Sequence, residues 1–327
     1  MNAVKNLFVL YTGGTIGMLQ SACGLAPAGG FEARMREQLD AQGTVLDWCF
    51  QELPPLIDSA NMRQANWLAM GAAIVEAVER GHDGVLLLHG TDTLAYSAAA
   101  LSFLLLGLPV PVVLTGAMLP AGNEGSDAWP NLLGAVTALQ QGVAPGVHLY
   151  FNGQLLHGAR ASKLRSEAFD AFAELPRRRE AERAAKIPAG LDYRTRRQPV
   201  NLAVLPLFPG IAAGHVQALL DSGVQGLLLE CYGSGTGPAD DQALLDVLRA
   251  AHRRGVVLAA SSQCPAGHVQ AGVYAASSQL LATGLVPAGG MTREAALGKL
   301  FALLGAGMRQ EEVEQWFGVD LCGEMAD

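Results

Sequence analysis

The hydrophobic pattern opens on an unbroken apolar run, Leu7 to Tyr11, which stops at Thr12-Gly13-Gly14-Thr15. A short continuous apolar run bounded by turn residues reads as a strand buried on both faces. Adjacent glycines reach backbone angles closed to other residues, so the chain can turn sharply and carry the Thr15 hydroxyl beyond the strand end. The same device recurs downstream. Gly84 to Gly90 reads as a second buried strand, followed by Thr91-Asp92-Thr93 and an apolar helical run from Leu94 to Leu106. Two strand ends therefore deliver two hydroxyls, Thr15 and Thr91, with the Asp92 carboxylate beside one of them.

Taken in order, Cys23 to Gly30 is a loop rich in glycine, alanine and proline, 31–42 has a helical pattern, and 45–53 fits a strand. Asp58-Ser59-Ala60-Asn61 starts a helix running to about Arg80; three of these four are helix-capping types. A strand at 110–115 and a helix at 127–141 continue the alternation, which implies a parallel sheet with right-handed crossovers. Residues 149–156 differ, because two apolar runs meet at Asn152-Gly153, the favoured two-residue hairpin turn. Lys163 follows shortly after. From Pro176 the composition changes: 177–197 is densely charged and broken by Pro188 and Gly190, which reads as an exposed linker. Beyond it come strands at 200–205, 225–230 and 256–260 with helices at 211–222, 239–254, 292–303 and 309–317. The expected architecture is two α/β domains: a larger N-terminal one with a mostly parallel sheet and a β-hairpin, and a smaller C-terminal one. The boundaries are 1–187, a linker at 188–209, and 210–327. In such sheets ligands bind outside the carboxyl ends of the strands.

Composition narrows this picture. Half of the 327 residues are apolar and only 16% are charged, so the chain can bury a large core. A net charge of −8 argues against a nucleic-acid partner. The five cysteines are scattered, with no Cys-x-x-Cys pair, which favours reduced thiols over disulfides or a zinc site. The first strand begins almost at once, with no basic-apolar secretory pattern before it, so the expected location is the cytoplasm. The uncharged stretch from Thr93 to Asn123 is cut by Gly107, Pro109 and Pro111 into pieces shorter than the ~20 residues of a membrane span, and no membrane partner is expected.

Several chemistries fail on inventory. A dinucleotide-binding turn of the form G-x-G-x-x-G would need glycine where Thr12 stands, and the acidic residue it requires downstream falls in a helical stretch. Gly233 to Gly237 is glycine-rich, but no lysine follows it as a P-loop demands. Neither a G-x-S-x-G elbow nor an H-E-x-x-H helix occurs. His89, inside a strand, reads as a core histidine rather than a base. The threonine pair remains. A hydroxyl is a poor nucleophile until a neighbour removes its proton, and Lys163 is a candidate for that task. Asp92 suits a substrate ammonium, and Ser59 with backbone N–H groups suits a carboxylate; Asp58 and Ser59 also suit a simple helix cap.

Tyr11-Thr12-Gly13-Gly14-Thr15-Ile16-Gly17 and Leu88-His89-Gly90-Thr91-Asp92-Thr93 together resemble the two signatures of the bacterial-type L-asparaginases. Further segments match in order: Asp58-Ser59, Thr115-Gly116 through Ser126-Asp127, Phe151-Asn152-Gly153 through Lys163, Ser262-Gln263-Cys264, and Ala288 to Thr292. The likeness spans nearly the whole chain and is greatest to the cytoplasmic type I branch.

The resemblance implies an amidohydrolase converting L-asparagine to L-aspartate and ammonia, with no cofactor or metal. It implies Thr15 as the nucleophile, Thr91 and Lys163 as a proton-transferring pair, Asp92 holding the α-ammonium, and Ser59, with Asp58 nearby, holding the α-carboxylate. A homodimer or homotetramer is implied, with C-terminal residues completing a neighbour's site. The alternatives are a broader asparaginase-glutaminase, the amidase subunit of a tRNA amidotransferase, for which the extra N-terminal domain is lacking, and a binding or regulatory relative that has lost catalysis. Two departures stand out. Gly24-Leu25-Ala26-Pro27 occupies the place where many relatives carry a loop tyrosine; some cytosolic relatives with an aliphatic residue there carry tyrosine at the place matching Tyr274, which is therefore the expected replacement. Glu230 stands where cooperative type I enzymes carry an arginine, although Ser262-Gln263-Cys264 matches their effector-site signature.

Overall fold

The computed structural model describes residues 3–21, 24–26, 28–270 and 275–327. They form two compact units, Met1–Glu174 with Asp192–Arg194, and Leu175–Leu191 with Thr195–Asp327.

In the first unit the elements run β1 (Asn6–Gly13), β2 (Leu19–Ser21), β3 (Gly24–Ala26), α1 (Phe31–Ala41), β4 (Asp47–Ile57), α2 (Gln64–Glu79), β5 (Gly84–Leu88), α3 (Leu94–Leu104), β6 (Pro111–Thr115), α4 (Ala128–Gln141), β7 (Gly146–Phe151), β8 (Gln154–His157), β9 (Ala161–Lys163) and β10 (Phe172–Glu174). Six of the strands form a sheet in the order β4-β1-β5-β6-β7-β8, parallel throughout except for the β7–β8 hairpin. Asn152 and Gly153 at the hairpin tip both have positive φ, 47° and 77°, as a two-residue turn matching the strand twist requires. The buried-strand reading of β5 is borne out, since every residue of it is buried, as is every residue of β6. One sheet face packs Leu7, Val9 and Tyr11 against Phe31, Met35 and Leu39, which recur every fourth residue of α1 and so share one stripe. α3 is buried nearly all round, which accounts for its lack of charge; among the described residues no helix is long and apolar enough to cross a membrane.

Two local expectations need revision. The helix expected from Asp58 begins only at Gln64, because Arg63 is extended (φ −133°, ψ 161°) and separates it from a short 3₁₀ turn at Ser59–Asn61. The loop after β1 contains a small antiparallel pair, β2 with β3, too short to leave a periodic signal.

The second unit contains β11 (Leu202–Pro206), α5 (Ala213–Asp221), β12 (Gly226–Cys231), α6 (Gln242–Arg253), β13 (Val257–Ser262), α7 (Ala275–Leu281), β14 (Leu285–Pro287), α8 (Arg293–Gly305) and α9 (Gln310–Phe317). Its four strands are parallel in the order β11-β12-β13-β14. Leu227, Leu229 and Leu258 pack with Val216 of α5 and Leu244 and Leu248 of α6. Residues 175–191 belong to this unit and are tied by isolated bridges, Arg177 to Gly267, Glu180 to Ala326 and Arg183 to Asp320. The tail is anchored by Lys299, fully buried in α8, whose ammonium donates to Glu324 at 2.6 Å. Burial pushes the Glu324 carboxyl up, but the Lys299 ammonium overrides this and holds it below the usual carboxylate range.

Candidate active site

Three neighbouring parallel strands, β4, β1 and β5, each lead into a single three-residue 3₁₀ turn: Ser59–Asn61, Thr15–Gly17 and Thr91–Thr93. Ser59, Thr15 and Thr91 are the first residues of those turns, so each projects from the same edge of the sheet. Glycine backbone brings the turns together. A Cβ on Gly14 would overlap the N and Cα of Gly90, and a Cβ on Gly90 would stand 2.5 Å from Ser59 Oγ and 3.1 Å from Gly14 Cα. Gly14 also has φ 85°, which L side chains rarely adopt. Only glycine at both positions lets the three strand ends meet at this separation.

Hydroxyls that the sequence reading did not single out fasten the arrangement. Thr12 Oγ1 donates to Leu88 O at 2.9 Å, joining β1 to β5. Thr93 Oγ1 donates to Ser59 O at 2.8 Å, joining the β5 turn to the β4 turn. Their signal was the paired threonines of each motif, of which Thr12 and Thr93 are the ones that fasten the backbone. Asp58, exposed, accepts from the backbone N–H of Ala60 at 3.2 Å and caps the Ser59 turn. Ser59 and Thr91 are buried and Thr15 is half-buried.

Lys163 arrives from the end of β9. Its Nζ donates to Thr91 Oγ1 at 3.0 Å and to Asp92 Oδ1 at 2.8 Å. Lys163 is 19% exposed and Asp92 62%, so the carboxylate remains open to a second partner while the amine is enclosed. The sequence-predicted Thr91, Asp92 and Lys163 are therefore in direct contact, and the turns of Thr15 and Ser59 abut that of Thr91. Tyr274 lies outside the described residues. Leu25, in β3, has an exposed aliphatic side chain with no proton to give.

His89 is a satisfied core histidine, as expected, although it stands one residue past the end of β5 rather than inside the strand. Its Nδ1 lies 2.7 Å from Gly90 O, which can only accept, so Nδ1 carries the proton and Nε2 accepts from Ser97 Oγ at 2.8 Å. Trp67 Nε1 donates to the same hydroxyl at 2.9 Å. Burial lowers the imidazole pKa to about 4, so the ring is neutral at ordinary pH. Tyr11, under the Thr15 turn, is pushed up to about 12 by burial and donates to Ala28 O at 3.1 Å. Among the described residues no group of three or more His, Cys, Asp or Glu could hold a metal ion.

The chain matches two family descriptions in succession: Asparaginase, N-terminal, over residues 6–192, and Glutaminase/Asparaginase C-terminal domain over residues 201–317. It is 35% identical to L-asparaginase 1 of Escherichia coli strain K12 over 98% of each chain. The solved structure of L-asparaginase I from Vibrio cholerae superposes with a TM-score of 0.85 at 32% identity, covering 99% of this chain and all of that one. A human 60 kDa lysophospholipase is also 35% identical over 98% of this chain, which spans 61% of that longer protein. Matched end to end by both halves of one family and by relatives of equal length, the chain belongs to the asparaginase family of amidohydrolase enzymes.

Proposed function

We propose that the protein hydrolyses L-asparagine to L-aspartate and ammonia through a threonine nucleophile and an acyl-enzyme. The observation that carries this reading is the Lys163 amine within hydrogen-bond reach of both Thr91 Oγ1 and Asp92 Oδ1, on a turn packed against that of Thr15. Thr15 Oγ1 attacks the side-chain amide carbon, and backbone N–H groups around Thr91 stabilise the oxyanion. The C–N bond then breaks, and the proton lost by Thr15 reaches the departing nitrogen, which leaves as ammonia. Tyr274 supplies the hydroxyl for this relay that Leu25 cannot supply. Water next attacks the aspartyl ester; Thr91 and Lys163 accept its proton, the ester C–O bond breaks, and the Thr15 hydroxyl is restored. Asp92 pairs with the α-ammonium, while Ser59, with Asp58 at the turn entrance, receives the α-carboxylate. The partial openness of Asp92 supports its role, since a carboxylate sealed by Lys163 would have no face left for the substrate.

The description of the C-terminal half as glutaminase/asparaginase favours one competing reading, a broader enzyme that also accepts glutamine. The decisive experiment measures ammonia release by the purified protein from L-asparagine and from L-glutamine. A kcat/KM at least ~10-fold higher for asparagine is expected, since one methylene in a pocket discriminates by roughly 10–200-fold. Equal values would establish the broader enzyme, and no ammonia from either amide would overturn both readings. We further infer a cytoplasmic homodimer or homotetramer that needs neither nucleic acid nor membrane; exposed Leu155, Leu164 and Phe169 on the first unit support a self-association surface.

A further inference from the structure

We propose that Asn131, backed by Asp127, is a positioning residue that sets the spacing between Thr91 and Lys163. The two residues are four apart at the start of α4, so their side chains stand on one face of its first turns. Asn131 is 1% exposed and uses its amide on three partners. The nitrogen donates to Gly116 O and to Asp127 Oδ2, each at 3.0 Å, and the oxygen accepts from the backbone N–H of Asn152 at 2.8 Å. Turning the amide over would set an N–H against an N–H and a carbonyl against a carbonyl, so the network permits one orientation. Asp127 in turn accepts from the Met118 N–H at 3.0 and 2.9 Å and from the Leu119 N–H at 3.0 Å, which fixes the segment just after Gly116.

The two backbone groups that Asn131 grips lead to opposite members of the reacting pair. Gly116 is wedged against the end of β5: a Cβ there would overlap His89 O and come within 3.7 Å of Thr91 Cγ2. Asn152 begins the hairpin tip, next to Phe151, whose ring packs on Phe172 at 4.8 Å. Phe172 of β10 pairs with Lys163 of β9 in the antiparallel register. One buried amide thus joins the Gly116 backbone, wedged against the chain just before Thr91, to a path ending at the Lys163 backbone. The segment from Thr115-Gly116 to Ser126-Asp127, matched in sequence but given no role there, serves as the seat of this clamp. Its effect on catalysis rests on the reaction proposed above; its effect on geometry does not.

The test compares Asn131→Ala with Val136→Ala, a cavity in the same helix away from the clamp. In Asn131→Ala, kcat for L-asparagine is expected to fall ~10²-fold with KM within ~3-fold, the signature of a displaced reacting group rather than lost substrate binding. Val136→Ala, assayed per folded enzyme, should keep kcat within ~2-fold. A second readout needs no turnover: the rate at which an amine-acylating reagent labels Lys163, followed by mass spectrometry, should change at least ~5-fold in Asn131→Ala and not in Val136→Ala. If Asn131→Ala does not fold, Asn131→Asp, which keeps the shape but loses both donors, is read by the same criteria. Unchanged labelling in the folded Asn131 variant, or an equal kcat loss in Val136→Ala, overturns the proposal. A wild type inactive on asparagine, with labelling that still responds to Asn131, overturns the assigned reaction and leaves the clamp standing.

Discussion

Both units end parallel strands in glycine-rich turns, yet the charges at those ends are used differently. In the first unit Asp92 stands 62% exposed beside the enclosed Lys163. In the second, the last residue but one of β12 is Glu230, whose carboxylate is 3% exposed and held by Arg293 at two points, Nε to Oε1 at 2.5 Å and Nη2 to Oε2 at 2.8 Å. The Gln263 amide also takes the Glu230 carbonyl at 2.7 Å. Two-point guanidinium pairing engages both oxygens of a carboxylate with charge-assisted bonds. One strand end thus keeps a charged group open to solvent, while the other supplies its buried charge with a partner from within the fold.

Removing hydroxyls should break this contrast hardest. Thr15→Ala and Thr91→Ala are each expected to lower kcat by ~10³-fold or more, the usual loss for a nucleophile or its activating group. Tyr274→Phe should cost at least ~10²-fold, the scale of lost proton-transfer assistance. Both threonines lie in turns beyond the strands, so thermal unfolding of the two alanine variants should match wild type. Activity above a tenth of wild type in either would remove that threonine from its assigned step.

A smaller effect separates the open groups of the first unit from its sealed one. His89 is held neutral, its pKa lowered by burial to about 4 from an ordinary 6.5. Below about pH 6.5 the unfolded chain binds a proton that the folded one refuses, so stability is full above that pH and falls as the pH drops toward about 4. At pH 5 the loss from this residue is about 2 kcal/mol. His148, also lowered by burial, acts in the same direction. Urea unfolding at pH 7.5 and 5 should therefore show a fall that shrinks by about 2 kcal/mol in His89→Gln, where the side chain cannot titrate. An identical fall in both proteins would mean that His89 is not the sealed group described.

The alternation of strands and helices was legible because each element carries its own period, and the Asn152-Gly153 turn because its positive φ values demand those residue types. Thr15, Thr91 and Asp92 were legible because strand ends and glycines mark them locally. Less visible were features made by distant partners. Asn131 binds groups 15 and 21 residues away, and in a helix an isolated asparagine announces nothing. Lys163 lies 72 residues from Thr91 in sequence, so its chemistry made it a candidate base, but the family resemblance was needed to pair it with Thr91 in particular. Residues 177–197 read as an exposed linker because isolated bridges have no periodicity, though 177–191 belong to the second unit and Arg177 is buried. Lys299 was hidden for the opposite reason: in an apolar helix its buried partner, Glu324, is 25 residues further on.

The smallest expected effect concerns the sealed strand end itself. An effector amino acid would present a carboxylate, and an arginine at position 230 could grip it at two points. Glu230 repels it instead, and the nearby guanidinium of Arg293 is already committed to Glu230. Arg293 is 48% exposed while Glu230 is 3% exposed, so the pair is arranged to neutralise the buried acid rather than to await a ligand. Initial rates against L-asparagine should accordingly follow a hyperbola, and Glu230→Gln, which frees the guanidinium without burying a new charge, should alter kcat by less than ~2-fold. A Hill coefficient clearly above one in the wild type would show that this end of β12 still receives an effector, and the contrast between open and sealed strand ends would fail there.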